Sequence, residues 1–263
     1  MLSGFFSFQV NLPYSLIETY GPRFLELGLA PEIGLDAVSL ETTTLEEFGR
    51  WAERFKKVEV SLHAPFMDLS PGGFDPAVVE ITRQRLKAAA GLAGLFRARH
   101  LIAHAYFDAT RYPTKPERWL EVAARTWEEV LAVTEASQAL VLLENVYETH
   151  PEMIRRLLDK ISHPRLGCCF DVGHYHAWGR GARLLDWLEA LGPYLKRLHL
   201  HDNDGSFDQH LGLGKGSFDF QALFAWLKAK GLRPALTLEH HADEDLEASV
   251  SYLAQLLGYQ EQA

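Results

Sequence analysis

Cysteine is scarce in this 263-residue chain, and the two cysteines present, Cys168 and Cys169, are adjacent. Adjacent cysteines cannot cross-link distant segments, so the sequence excludes a disulfide framework and is typical of a protein kept in a reducing compartment. No apolar run approaches the ~18 residues of a membrane span, and the N-terminal segment lacks the basic start of a signal peptide. We therefore expect a cytoplasmic protein with no membrane partner.

Basic residues are also in deficit, because 26 Lys and Arg stand against 35 Asp and Glu, for a formal net charge of -9. A field of this sign repels phosphate backbones, so nucleic acid is not expected as a partner. Long tracts rich in Pro, Gly, Ser or one charge are lacking, which argues against a linker. We expect one domain over residues 1–263, and the composition leaves the oligomeric state open.

Short apolar segments alternate with longer amphipathic segments along the whole chain, in eight pairs. The predicted strands are residues 6–10, 31–35, 58–62, 100–104, 140–145, 166–171, 196–201 and 235–240. The predicted helices are residues 15–27, 45–55, 76–97, 116–136, 151–161, 183–191, 218–229 and 243–257. This alternation predicts an α/β fold, either a closed (β/α)8 barrel or an open doubly wound sheet.

Polar residues at the ends of six successive predicted strands favour the barrel. These residues are His63; His104; Glu144; Asp171 and His174; His199 and His201; and Glu239, His240 and His241. In a flat sheet the six ends would spread over about 24 Å, whereas a TIM barrel points them into one mouth. We also predict a metal site there, because converging carboxylates and imidazoles would be costly to bury without a cation.

Seven segments of the chain resemble those of a known superfamily, the xylose isomerase-like barrels. They are SLHAPF, LIAHA, LLENV, CFDVGH, LHLHD, FDQHLGLGKG and LTLEH. The superfamily includes sugar phosphate isomerases and epimerases, and endonuclease IV of AP endonuclease family 2, which holds three zinc ions. The resemblance implies three ligand groups here: His63, His104 and Glu144; then Glu144, Asp171, His199 and Glu239; then His174, Asp208 and His210. In the single-metal isomerases of the superfamily, the metal ligands correspond to the second group alone.

Two functions remain open at this point. One is a metal-dependent isomerase or epimerase of a sugar, sugar phosphate or polyol, in which Glu144 and Glu239 carry a proton through an enediolate. The other is an endonuclease IV-like trinuclear zinc phosphodiesterase. The loop FMDLSPGGFDP carries no Lys or Arg, and the first strand lacks the glycine-histidine-serine start of the DNA enzymes, so we favour the first function. Imidazole and carboxylate ligands suit Zn or Mn, in one to three ions.

Three further residues are candidates for contact with a small carbohydrate substrate: Phe66, His201 and Lys215. His201 shares the inward side of its strand with His199 and competes with it for the ligand role. Lys215 lies among three glycines that fit neither a P-loop nor a dinucleotide fingerprint. Those glycines indicate either a tight turn or, less favoured, an anion site.

Overall fold

The computed structural model describes residues 8–242 and 244–258 of the chain. Eight parallel strands form a closed barrel, in which each strand pairs with its neighbours in sequence and the last pairs with the first. The strands are β1 (Phe8–Pro13), β2 (Pro31–Gly34), β3 (Ser61–His63), β4 (His100–His104), β5 (Leu140–Glu144), β6 (Leu166–Asp171), β7 (Leu195–Leu200) and β8 (Ala235–Leu238). The predicted (β/α)8 TIM barrel is confirmed.

Helices surround this barrel, and the described residues contain ten α-helices. They are α1 (Ile17–Leu27), α2 (Ala37–Thr42), α3 (Leu45–Arg54), α4 (Pro76–Phe96), α5 (Pro116–Val133), α6 (Glu152–Ile161), α7 (Val172–Trp178), α8 (Leu184–Leu191), α9 (Phe220–Lys230) and α10 (Asp245–Leu256). Single 3-10 turns cover Tyr14–Leu16 and Gly192–Tyr194.

The helix ends follow from local sequence chemistry. Pro76 and Pro116 occupy the first turns of α4 and α5, where the missing N–H is not needed. Thr44 and Glu47 form a capping box at the start of α3. Gly231 ends α9 with a φ of 67°, which glycine adopts without strain. Such local signals explain why most predicted elements lie within a few residues of the observed ones.

Two helices, α2 and α7, were not predicted because they are too short to show a periodic pattern. In α2 the Asp36 carboxylate accepts the Ser39 N–H at 2.7 Å. In α7 the Asp171 carboxylate accepts the His174 N–H at 2.6 Å. Predicted residues 6, 7 and 243 lie outside the described residues.

The hydrophobic core lies mainly between the strands and the helices. Trp119, Trp127 and Trp187 are completely buried in that layer. The barrel interior is different, because it holds buried polar side chains from several strands: Glu32, Ser61, His100, Arg197 and Thr237. Bulky branched apolar residues usually fill this space. The interior below the mouth is therefore partly polar, and Ile102, Leu142 and Cys169 form a separate buried apolar cluster. None of the helices in residues 8–242 and 244–258 is both long and apolar enough to cross a membrane.

Candidate metal centre

The carboxyl ends of the strands bring the nine predicted ligands to one mouth. His63, His104, Glu144 and Asp171 are the last residues of β3, β4, β5 and β6. His199 lies in β7 and Glu239 directly follows β8. The remaining three come from the first turn of α7 and from the loop after β7: His174, Asp208 and His210.

The first group consists of two imidazoles facing one carboxylate. The Nε2 atoms of His63 and His104 lie 3.0 and 3.8 Å from Glu144 Oε2. His63 Nδ1 is 2.8 Å from the Ala64 carbonyl, to which it can donate its proton, leaving the Nε2 lone pair directed at the carboxylate. His104 Nδ1 is buried without a hydrogen-bond partner among the described residues. The three side chains can hold one cation.

The second group is centred on His199, which is completely buried. Its Nδ1 atom lies 3.4 Å from Glu144 Oε1, 3.8 Å from Asp171 Oδ2 and 3.3 Å from Glu239 Oε1. In the described residues this nitrogen has no hydrogen-bond partner. An imidazole nitrogen surrounded by three carboxylates is a donor set that suits Zn²⁺ or Mn²⁺, so the residues fit a divalent cation.

His199 and His201 were alternatives in the sequence, and the geometry separates them. His201 Nε2 lies 3.1 Å from each Asp171 carboxylate oxygen, and its ring stacks on His210 at 3.8 Å. His201 therefore supports two other predicted ligands. It is also completely buried, so its position does not support the substrate contact that the sequence suggested for it.

The third group lies beside the second, nearer to solvent. The Nε2 atoms of His174 and His210 lie 3.4 and 2.9 Å from Asp208 Oδ2. Their Nδ1 atoms lie 2.9 and 2.6 Å from the carbonyls of Asn145 and Glu239, to which they can donate. His210 adopts a φ of 48°, an unfavourable region for a non-glycine residue. Strain of this kind is typical of functional positions.

Buried charges in this cluster depend on one another. Burial opposes ionisation of Glu144, but the neighbouring His199 and His104 lower its pKa well below the usual value. Burial likewise opposes protonation of His174, yet Asp171, Asp208 and Glu144 raise its pKa well above the usual value. Without a cation, protons on imidazoles such as His174 and His199 balance the carboxylates. A divalent ion can replace these protons, because both satisfy the same negative charge.

A cavity of about 880 Å³ opens above the three groups. Phe66 lines it and stacks on His104, with ring centroids 4.7 Å apart. Trp178 also lines it and stacks on His174, with ring centroids 5.5 Å apart. Arg111 is the one Lys or Arg among its described lining residues, whereas acidic residues are frequent. The lining carboxylates are Asp36, Asp68, Asp108, Glu144, Asp208 and Glu239.

Lys215 is not among the described residues that line this cavity. Its amine forms an ion pair with Asp245 at the start of α10. This placement does not support the predicted substrate contact. The glycine loop around Lys215 is also no free anion site, because its amides already bind carboxylates of the chain. The N–H of Gly212 donates to Asp245, and those of Gly214 and Gly216 donate to Asp202.

Sequence reasoning missed two residues at the mouth. Asn11 of β1 donates from Nδ2 to Glu239 Oε1 at 3.1 Å. His241 lines the cavity and stacks on His210 at 4.2 Å. His241 was one of the polar residues at the predicted strand ends, but its spacing did not indicate a ligand or substrate role. Asn11 carried a usable signal, because it alternates with apolar neighbours on a strand that ends at the same mouth.

The fold and the site define a (β/α)8 barrel of the kind that gathers imidazole and carboxylate ligands at its mouth. The chain belongs to the family described as Xylose isomerase-like TIM barrel, which matches residues 15–257. Members of this superfamily include epimerases, isomerases and endonucleases.

Three similar proteins illustrate that range. The TTHB071 protein from Thermus thermophilus, in a structure soaked with ZnCl2, is 30% identical with a TM-score of 0.79, covering 97% of this chain and 100% of that one. A D-tagatose 3-epimerase-like protein shares the fold with a TM-score of 0.81 at 24% identity, covering 96% and 97%. A probable endonuclease 4 of Mycoplasma mobile is 26% identical over 212 residues, 71% of this chain and 70% of that protein.

Proposed function

We propose that this protein is a metal-dependent isomerase or epimerase of a small sugar, sugar phosphate or polyol. One observation carries the proposal: His199 Nδ1 faces the carboxylates of Glu144, Asp171 and Glu239 within 3.8 Å, beneath an open cavity. These four residues would hold a Zn or Mn ion. When bound, the ion supplies positive charge that polarises a substrate carbonyl and its neighbouring hydroxyl.

Glu144 and Glu239 are the proposed proton carriers. They come from β5 and from the end of β8, with β6 and β7 between them, so they approach a bound substrate from different sides. One carboxylate accepts the proton from the carbon next to the carbonyl, which gives an enediolate. The other returns a proton, to the opposite face of that carbon for epimerisation. Exchange with water restores the starting protonation of both carboxylates.

The cavity supports a small carbohydrate rather than a nucleic acid as the partner. Its aromatic walls, Phe66 and Trp178, present flat apolar surfaces of the kind that pack on a sugar ring. Its acidic lining, with Arg111 as the one described basic residue, disfavours a long phosphate backbone. Structural neighbours named as D-psicose 3-epimerase and D-tagatose 3-epimerase-like protein support the same substrate class.

A trinuclear phosphodiesterase is the second candidate, and the third ligand group favours it. His174, Asp208 and His210 are unnecessary for a one-ion isomerase, yet they converge in this chain. The likeness to a probable endonuclease 4 points the same way. In this alternative, Asp208 and His210 help to hold charge that stabilises a leaving oxygen.

Proton exchange with solvent tests the proposal directly. The protein is incubated in D2O with a panel of ketohexoses, ketopentoses and their phosphates, with Zn²⁺ or Mn²⁺ supplied. An isomerase or epimerase is expected to place deuterium on the carbon next to the carbonyl, as read by NMR. An abasic DNA duplex is tested alongside. Metal-dependent nicking of that duplex, without exchange on any sugar, would reject the proposal in favour of the alternative.

Two variants separate the chemistries at the metal site. Glu239→Gln removes a ligand charge and a proton carrier, so for an isomerase it should abolish turnover. His210→Ala removes a predicted ligand of the third group and none of the second, so it should weaken turnover partially. Metal content and circular dichroism establish that both variants are folded. Equal and near-complete losses in the two variants on an identified substrate would contradict the one-ion mechanism.

A further inference from the structure

A polar network occupies part of the barrel interior, next to His199 of the candidate metal centre. Arg197 of β7 is completely buried and donates to Thr237 at 2.5 Å, to Ser61 at 3.0 Å and to His100 at 2.9 Å. Glu32 of β2 is equally buried; its Oε2 atom accepts from Thr237 at 2.7 Å and from Arg197 at 3.3 Å. Burying a carboxylate and a guanidinium inside a barrel costs desolvation free energy, which apolar side chains in the same space would avoid. This cost suggests that the pair has a function.

The second oxygen of Glu32 connects this network to the mouth. Glu32 Oε1 lies 3.0 Å from His199 Nε2, and both atoms are buried without a hydrogen-bond partner in the described residues, so each is available to the other. The other nitrogen of that ring faces the three carboxylates. A neutral imidazole carries one proton. With the proton on Nε2, toward Glu32, the Nδ1 lone pair is directed at the cation position.

His199 differs in this respect from two other predicted ligands, His63 and His210. In those two residues the nitrogen that points away from the cluster lies within 2.8 Å of a backbone carbonyl. In His199 the corresponding nitrogen faces a carboxylate, which is a stronger acceptor than a carbonyl and makes the ring a better electron donor.

We propose that Glu32 is a positioning residue, which fixes the tautomer of His199 and strengthens cation binding at the group formed by Glu144, Asp171, His199 and Glu239. The inference rests on the proposed metal site but not on the reaction assigned to it. Arg197 has a different role: its positive charge balances the negative charge of Glu32 and keeps that carboxylate ionised inside the barrel.

Cation affinity of Glu32→Gln provides the test. The full chain is stripped of metal, and Zn²⁺ affinity is measured by competition with a chromogenic chelator at constant pH. Loss of a carboxylate behind a ligating histidine weakens binding by about 10–100-fold, and we expect a loss of that size at the tightest site. Ser61→Ala is the matched control, since Ser61 contacts the same Arg197 but has no recorded contact with His199. It should keep wild-type affinity.

A second variant covers the case in which unpaired Arg197 prevents Glu32→Gln from folding. Glu32→Gln combined with Arg197→Gln removes both charges together and should show the same loss of affinity. The d–d spectrum of the Co²⁺-loaded variant should also differ from wild type, which a change in fold stability alone would not produce. Wild-type affinity and an unchanged Co²⁺ spectrum in either folded variant would overturn the role of Glu32. Failure of the wild-type protein to bind Zn²⁺ would overturn this inference and the proposed metal site together.

Discussion

Replacing Asp202 by asparagine tests how the loop that carries Asp208 and His210 is held. Asp202 is buried just after β7 and forms an isolated antiparallel bridge with Leu211. Its carboxylate accepts four backbone N–H groups. Oδ1 accepts from residues 203 and 218 at 2.9 and 3.1 Å, and Oδ2 accepts from residues 214 and 216 at 3.1 and 2.9 Å. The Asp202 side chain therefore connects both ends of the loop over residues 203–218.

The asparagine amide cannot reproduce this arrangement in either orientation. One of the two oxygens becomes an NH2 group, so two backbone N–H groups then face a donor instead of an acceptor. Each unsatisfied buried donor costs about 1–3 kcal/mol. The donors of Gly214 and Gly216 are partly exposed, and the amide should turn its NH2 group toward them. We therefore expect Asp202→Asn to lower the free energy of unfolding by about 3 kcal/mol.

Urea denaturation of the metal-free protein measures this loss without a contribution from cation binding. Asp204→Asn is the control, because Asp204 is exposed and its recorded hydrogen bonds are local, to Ser206 and Gln209. It should change the free energy of unfolding by less than about 1 kcal/mol. A loss below about 1 kcal/mol in Asp202→Asn would refute the view that this carboxylate organises the loop.

Two other predictions concern residues around the mouth. Asn11→Ala removes the hydrogen bond that Asn11 donates to Glu239. On an identified substrate, this variant should lower kcat by about tenfold with little change in KM. A change in KM alone would contradict the prediction. Burial raises the pKa of Glu148 from 4.5 to about 7, so the folded protein favours the neutral carboxyl group. The stability that this preference contributes is fully present below pH 4.5 and is lost as the pH rises through 7. The stability of Glu148→Gln relative to wild type should therefore rise by about 3 kcal/mol between acidic and mildly alkaline pH, as followed by denaturation, and a pH-independent difference would count against this.

The barrel and most of the polar residues at its mouth could be predicted from the sequence because their signals are local. Strands β4 and β6 begin and end at the predicted residues, since each is an apolar run closed by a polar side chain. The metal ligands that the resemblance implied also lie at the mouth. Position along the chain, combined with barrel closure, is enough to bring strand ends together.

Features that depend on depth and on long-range register could not be predicted. Alternation places His199 and His201 on the same side of β7, but it does not say which ring meets the carboxylates. Glu32 lies in the middle of a strand, where an acidic residue gives no sign of a buried partner 165 residues away, Arg197. The ion pair of Lys215 with Asp245 could not be predicted either, because it joins a loop to a distant helix, which local sequence does not reveal.

Strand β7 sets a practical limit on how this protein can be redesigned. The strand and the residue directly after it serve three layers, with Arg197 in the interior network, His199 among the carboxylates and His201 against Asp171. Shifting the strand by one residue would turn all three side chains outward at once. Variation aimed at new substrates should therefore be confined to the loops that carry Phe66 and Arg111 and to the end of α7 at Trp178, while the sequence of β7 is kept unchanged.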